Sequence, residues 1–179
     1  MVDPPEASGG TAKLDPDDFW SFSLRVYGES AVRASCLALQ DEAGADVNVI
    51  LFLLYAATQH VALHAADVSR IDRSCSEWRE TVIRPLRAAR RAVASSVKSN
   101  VADAYAALKS AELAAEKVAQ ELLVREFNTL SAPTDARAPV QIAAANLRAY
   151  EVLVPMPETV LKDLVEACAS FRIEDDKAG

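Results

Sequence analysis

Between Leu39 and Tyr55 the chain reads LQDEAGADVNVILFLLY, and four of its polar residues, Gln40, Asp41, Asp46 and Asn48, are of the types that bind ligands. Carboxylates beside an amide can hold a cation, a ligand amine or the guanidinium of a partner. A second set is His60 and His64, four apart with Asp67 beyond them, a spacing that on one helix face suits zinc or another transition metal. No protease-type Glu lies between these histidines and no cysteine pair is near, so they are the weaker candidates and no cofactor is expected. The third set is cationic. Residues 70–98 hold eight basic side chains (Arg70, Arg73, Arg79, Arg84, Arg87, Arg90, Arg91, Lys98) against three acidic ones (Asp72, Glu77, Glu80), and Arg79, Arg84 and Arg87 are candidates to meet the acids or clamp an anion.

These sets need elements to carry them. Asp15-Pro16-Asp17-Asp18 reads as an N-cap, a first-turn proline and two acids facing the positive end of a helix dipole, so a first helix runs from there to Gly28. Ser30 can cap a second helix, closed by Gly44 in the left-handed conformation, and Asp46 can cap a third from Val47 to about Ala66. The acid-rich bend is thereby partly explained, since Gly44 reverses the chain and Asp46 satisfies free backbone N–H groups. Asp41 and Glu42 are not, because acids in a last turn oppose the dipole.

Ser74-Cys75-Ser76-Glu77 has capping-box spacing and predicts a fourth helix to about Lys98, kinked or broken near Pro85. Asn100 can cap a long fifth helix with an apolar seam at Val101, Ala104, Leu108, Ala111, Ala115, Val118 and Leu122. After the loop SAPTDARAP, two shorter helices are expected over 140–152 and 157–171. No period-two strand is visible. The fold class is therefore all-α, a single-domain bundle of about six to seven helices over 15–172, with tails at 1–14 and 173–179.

Composition narrows the partners. A chain of 179 residues suffices for one domain, and the 51% hydrophobic content with 6% aromatics describes a core of Ala, Leu and Val. A net charge of −7 argues against nucleic acid. Cys36, Cys75 and Cys168 are odd in number and widely spaced, and MVDPPEASGG has no basic-then-apolar leader, which together predict a reduced, cytoplasmic protein. The apolar run Val49 to Ala57 is too short for a membrane span, so it reads as a buried core helix. Trp20 and Trp78 are expected to pack, with ligand stacking as the weaker alternative.

Phe19-Trp20, Phe22-Ser23-Leu24, Val26-Tyr27, Cys36-Leu37, Leu39-Gln40-Asp41, Gly44, Asp46-Val47-Asn48 and Leu51-Phe52 form a signature, followed by Trp78, Pro85-Leu86-Arg87 and Arg90-Arg91. Over roughly residues 17–125 the chain resembles a proteobacterial family of small proteins of unknown function. It departs from that pattern at Tyr55, where tryptophan is expected, and at Ser30-Ala31 in place of Pro-Gly. The resemblance implies no activity.

No phosphate-cradling glycine loop, G-x-S-x-G elbow or CxxC pair is present, and Cys36 or Cys75 could be a nucleophile only with a histidine close in space. Two functions stay open. One is a non-enzymatic protein-interaction or regulatory module that uses the bend and the basic helix, a homo-oligomer being compatible with it. The other is a small-molecule-binding protein or enzyme, with Asp41, Asp46 and Asn48 in a polar pocket at the helix two to three turn and Arg79 or Arg84 as anion clamp. The first predicts a closed end with every carboxylate paired; the second predicts a concave pocket on the order of several hundred Å³ with unpaired polar groups.

Overall fold

The computed structural model describes residues 11–96 and 101–175, with side chains to Cys168. Residues 1–10, Lys98, Asn100 and 176–179 lie outside it. Among the described residues the regular structure is all helical, with single-residue bridges (Thr11 to Pro133, Val61 to Thr134) in place of strands. The helices are α1 (Pro16–Gly28), α2 (Ser30–Ala43), α3 (Val47–Thr58), α4 (Ala65–Trp78), α5 (Arg84–Ala94), α6 (Ala102–Phe127), α7 (Pro139–Tyr150) and α8 (Glu158–Asp175). A π-helical turn, Arg79–Ile83, joins α4 to α5 in one rod over 65–94, so the described residues form a seven-rod, all-α bundle in which this fourth rod is longer than the 26-residue fifth, α6.

α3 is the hub. Asp46 starts it by accepting from the Asn48 N–H at 2.8 Å, and Val49 to Ala57 are all buried. Because its apolar residues surround the axis, every flank needs a cover, and α1, α2, α6, α7 and α8 supply it. Phe52 meets Phe19 edge-on at 5.5 Å and Phe127 at 5.9 Å, while Tyr55 stacks on Phe19 at 5.2 Å. Asp15 caps α1 through the N–H groups of Asp17 and Asp18, and Gly44 ends α2 with φ 71°, as the sequence predicts. Ser30 does not cap α2; Glu29 occupies that position without a side-chain bond. Before α1, Leu14 is buried and exchanges two 2.9 Å hydrogen bonds with the side chain of Asn128, so the ordered fold extends ahead of Asp15.

Three expected boundaries change. α3 stops at Thr58 rather than near Ala66: the His60 N–H donates to Ala57 O, the Val61 N–H to Ala56 O at 2.8 Å, and His60 takes the left-handed conformation at φ 58°. This is a Schellman ending with histidine where glycine is usual, hence invisible to a search for glycine. α4 starts at Ala65, so Ser74 lies mid-helix, its hydroxyl bonded back to Ile71 O, and opens nothing. Pro85 breaks nothing either. The π turn ahead of it, with the Arg84 N–H donating to Arg79 O, absorbs the missing donor.

α6 also departs from its expected seam. Val101 and Leu108 are half-buried and Ala104, Ala111 and Val118 exposed; the buried stripe is Glu112, Ala115, Ala119, Gln120, Leu123, Val124 and Phe127. Two polar residues sit on that stripe, which shifts its phase away from any purely apolar pattern.

The connection between α3 and α4 depends on α7. Asn146, wholly buried, donates to Leu53 O and Val61 O and accepts from the Leu63 N–H at 2.8 Å. Removing it takes the side-chain partner from Val61 O and the Leu63 N–H and a second bond from the helical Leu53 O. Asn146→Ala is expected to lower the unfolding free energy by about 3 kcal/mol in a urea titration, far more than an exposed asparagine would.

Candidate functional site

The α2–α3 bend divides into a closed knot and an open cleft. In the knot, Asp46 pairs with Arg79 Nε, Arg79 Nη2 reaches Asp72 Oδ1 at 2.7 Å, and the Asp46 N–H donates to the Tyr150 hydroxyl at 3.2 Å. Burial works against the Arg79 charge, but Asp46, Cys75 and Asp72 outweigh it, so the guanidinium holds its proton more firmly than a free one. Burial, with help from Asp46, pushes the Cys75 thiol up to about 12 despite the opposing pull of Arg79. Burial pushes Cys36 up to about 12 and Cys168 up to about 11. All three are free and buried, and such thiols are neutral at physiological pH and poor nucleophiles.

Gln40, Asn48 and Arg87 turn the other way, into a cleft of about 370 Å³. Its walls are Trp20, Leu24 and Tyr27 from α1, Leu37 from α2, Val47 and Leu51 from α3, and Tyr105 and Leu113 from α6. Leu24, Leu37 and Leu113 are 52%, 38% and 44% exposed, an unusual cost for large apolar side chains gathered at one place. Arg87, Arg90, Arg91 and Lys109 bring positive charge, with Glu112 and Glu116 opposing.

The joined rod explains how arginines from one helix serve both halves. Along an unbroken α-helix Arg79 and Arg87 would point about 80° apart; the extra residue held in the π turn subtracts about 100°, which returns both to nearly one side. Arg87 donates to Gln40 Oε1, to Glu112 at 3.1 Å and to Glu116 at 2.8 Å, and Arg90 pairs with Glu112. For Glu112 burial raises the carboxyl, but the bonds from Arg90 and Arg87 prevail and hold it below the usual carboxylate range. For Glu116 burial prevails over Arg87, with Glu112 and Asp46 adding to it, and the carboxyl is raised.

The other expected residues lie outside the cleft. Asp41 is exposed and 3.3 Å from Arg91, and Arg84 is exposed and paired with Glu80 one turn away. His60 and His64 do not share a helix face, because the chain between them is not helical: His60 Nδ1 lies 3.2 Å from Asp135 O, and the His64 N–H bonds to Asp67. Among the described residues no cluster of three or more His, Cys, Asp or Glu side chains is arranged for a metal ion. Trp78 packs, its indole N–H donating to Ala115 O at 2.9 Å, whereas Trp20 lines the cleft. Sequence reasoning missed Lys109, Glu112 and Gln120; the signal for the last two is a polar residue at the buried phase of α6.

Residues 18–123 match a family described as a protein of unknown function (DUF2390). The chain belongs to that family. No curated protein and no solved structure matches it. The DUF2390 stretch runs from α1 nearly to the end of α6 and contains every residue that lines the cleft, while Asn146 and Tyr150 fall beyond it.

Two outcomes test this electrostatic description. Asp46→Asn keeps an N-cap but leaves Arg79 with half its charge partners, and Asp46→Ala removes both functions; losses of about 2 and about 4 kcal/mol are expected in denaturant unfolding. Glu112 has a folded value below its ordinary 4.5, so its contribution is complete above about 4.5 and disappears as pH falls through the lower folded value. The stability gap between the native protein and Glu112→Gln should therefore be constant near neutrality and close in acid, as measured by urea unfolding between about pH 3 and 7.

Proposed function

We propose that this DUF2390 protein binds a small organic anion with an apolar body in the cleft between α1, α2, α3, α5 and α6. The observation that carries the proposal is the gathering of three exposed leucines with Lys109 and Arg91 around one concavity of about 370 Å³, beside Arg87 and Arg90 whose charges Glu112 and Glu116 hold. Apolar walls favour a hydrocarbon or ring, and the surplus of positive charge favours a carboxylate or phosphate. Lys109 makes no ion pair among the described residues and Arg91 only an exposed one, so these two are placed to receive the anion. Docking of a protein through the basic helix has less support, since Arg79, Arg87 and Arg90 are already neutralised within the chain. No helix among the described residues is long and apolar enough to cross a membrane, and the free thiols fit a reducing compartment such as the cytoplasm.

At about 30 Å³ per water-sized group, the cleft accommodates about a dozen non-hydrogen atoms, the size of decanoate. Isothermal titration with decanoate is expected to show one site with a free energy near −6 kcal/mol, a Kd of tens of micromolar. Lys109→Glu should weaken it about tenfold and Leu113→Asp should remove it, both being exposed changes that spare the fold. No saturable heat with the native protein at about 1 mM ligand would falsify the proposal.

A further inference from the structure

Two residues that line the cleft carry buried oxygens that find no hydrogen-bond partner among the described residues. Gln120, 2% exposed, donates through Nε2 to Asn48 Oδ1 at 3.0 Å, but its Oε1 has no partner. Ser23, 3% exposed, likewise has a hydroxyl without a partner. Both line the cleft, from α6 and α1, beside Asn48 at the start of α3. Buried oxygens of this kind are rare in native proteins because each loses its water without a replacement. An apolar ligand end placed there would leave that loss in force.

Lys109 lies at the other end of the same helix face. Eleven residues of α6 separate Gln120 from Lys109, about 16 Å of helix rise, which sets the length scale of a ligand that reaches from one to the other. Leu113 lies between them, with Leu24 and Leu37 on the facing elements. Resting on the binding reading above, we infer that the ligand is a linear amphiphile with an anionic group at one end, an apolar middle, and a hydrogen-bond donor such as a hydroxyl at the other. The anion meets Lys109 and Arg91; the donor reaches Gln120 Oε1, and its own oxygen can accept from Ser23. A site built to bond a hydroxyl discriminates strongly against the analogue that lacks it.

The experiment compares 10-hydroxydecanoate with undecanoate, in which a methyl replaces the hydroxyl, by calorimetric titration of the full chain. The native protein is expected to prefer the hydroxy acid by about tenfold. Gln120→Leu, close in volume, should erase that preference while undecanoate binds at least as well as before, and Ser23→Ala should reduce the preference without a change of volume at Gln120. Equal binding of the two ligands by the native protein, or tighter binding of undecanoate, overturns the donor requirement while the cleft itself stands as a binding site. Binding of neither overturns both. A preference that survives in both variants also overturns the assignment to these two residues.

Discussion

A helix that is apolar on every side has to be enclosed, and α3 imposes that demand on the rest of the molecule. Five helices are spent on the enclosure, and their order around α3 decides which other side chains meet. The ends of α3 are where enclosure becomes difficult, because backbone and capping groups there are polar. At its start the solution is ionic: Asp46 serves the helix with one oxygen and Arg79 with the other. At its end the solution is an amide, Asn146, which substitutes for water at three backbone groups. Charge is tolerable in the first place because Asp46, Arg79 and Asp72 complete one another; a neutral group suffices in the second because only backbone has to be matched.

The cleft follows from the same arrangement. α1 and α6 flank α3 and line the cleft beside the α2–α3 bend, and α5 adds long arginine side chains in place of apolar packing. Arginine stems make a wall there, their heads held by Glu112 and Glu116 at Arg87 and Arg90 and only by the exposed Asp41 at Arg91. The π turn sets this division. It presents Arg79 to the knot and Arg87 to the cleft from one rod, so a local irregularity of helix geometry links a stability device to a candidate binding wall.

Much of this was legible beforehand. The caps Asp15 and Asp46, the left-handed Gly44, the long α6 and the burial of α3 follow from residue type and period alone, because each is decided within a few residues. Elements settled by distant partners were not legible. His60 ends α3 without glycine, in a loop whose backbone groups are matched by Asn146 more than eighty residues on. Gln120 and Glu112 look like solvent-facing residues until Asn48 and the arginines are placed against them. The bend was the right region, yet only Gln40, Asn48 and Arg87 of the expected residues open into the cleft, because sequence spacing does not reveal which side of a corner a side chain leaves from.

The dependence on Asn146 and Tyr150 has a bearing on where this protein can be cut. Both residues sit past position 123, where the family likeness ends, and both are bonded into segments well inside it. A piece trimmed to the recognisable stretch would lose the flank that α7 provides and leave aliphatic surface of α3 facing water. The span that marks kinship is thus shorter than the span that has to fold as one cooperative body, and genetic dissection by alignment would cut through the middle of the latter.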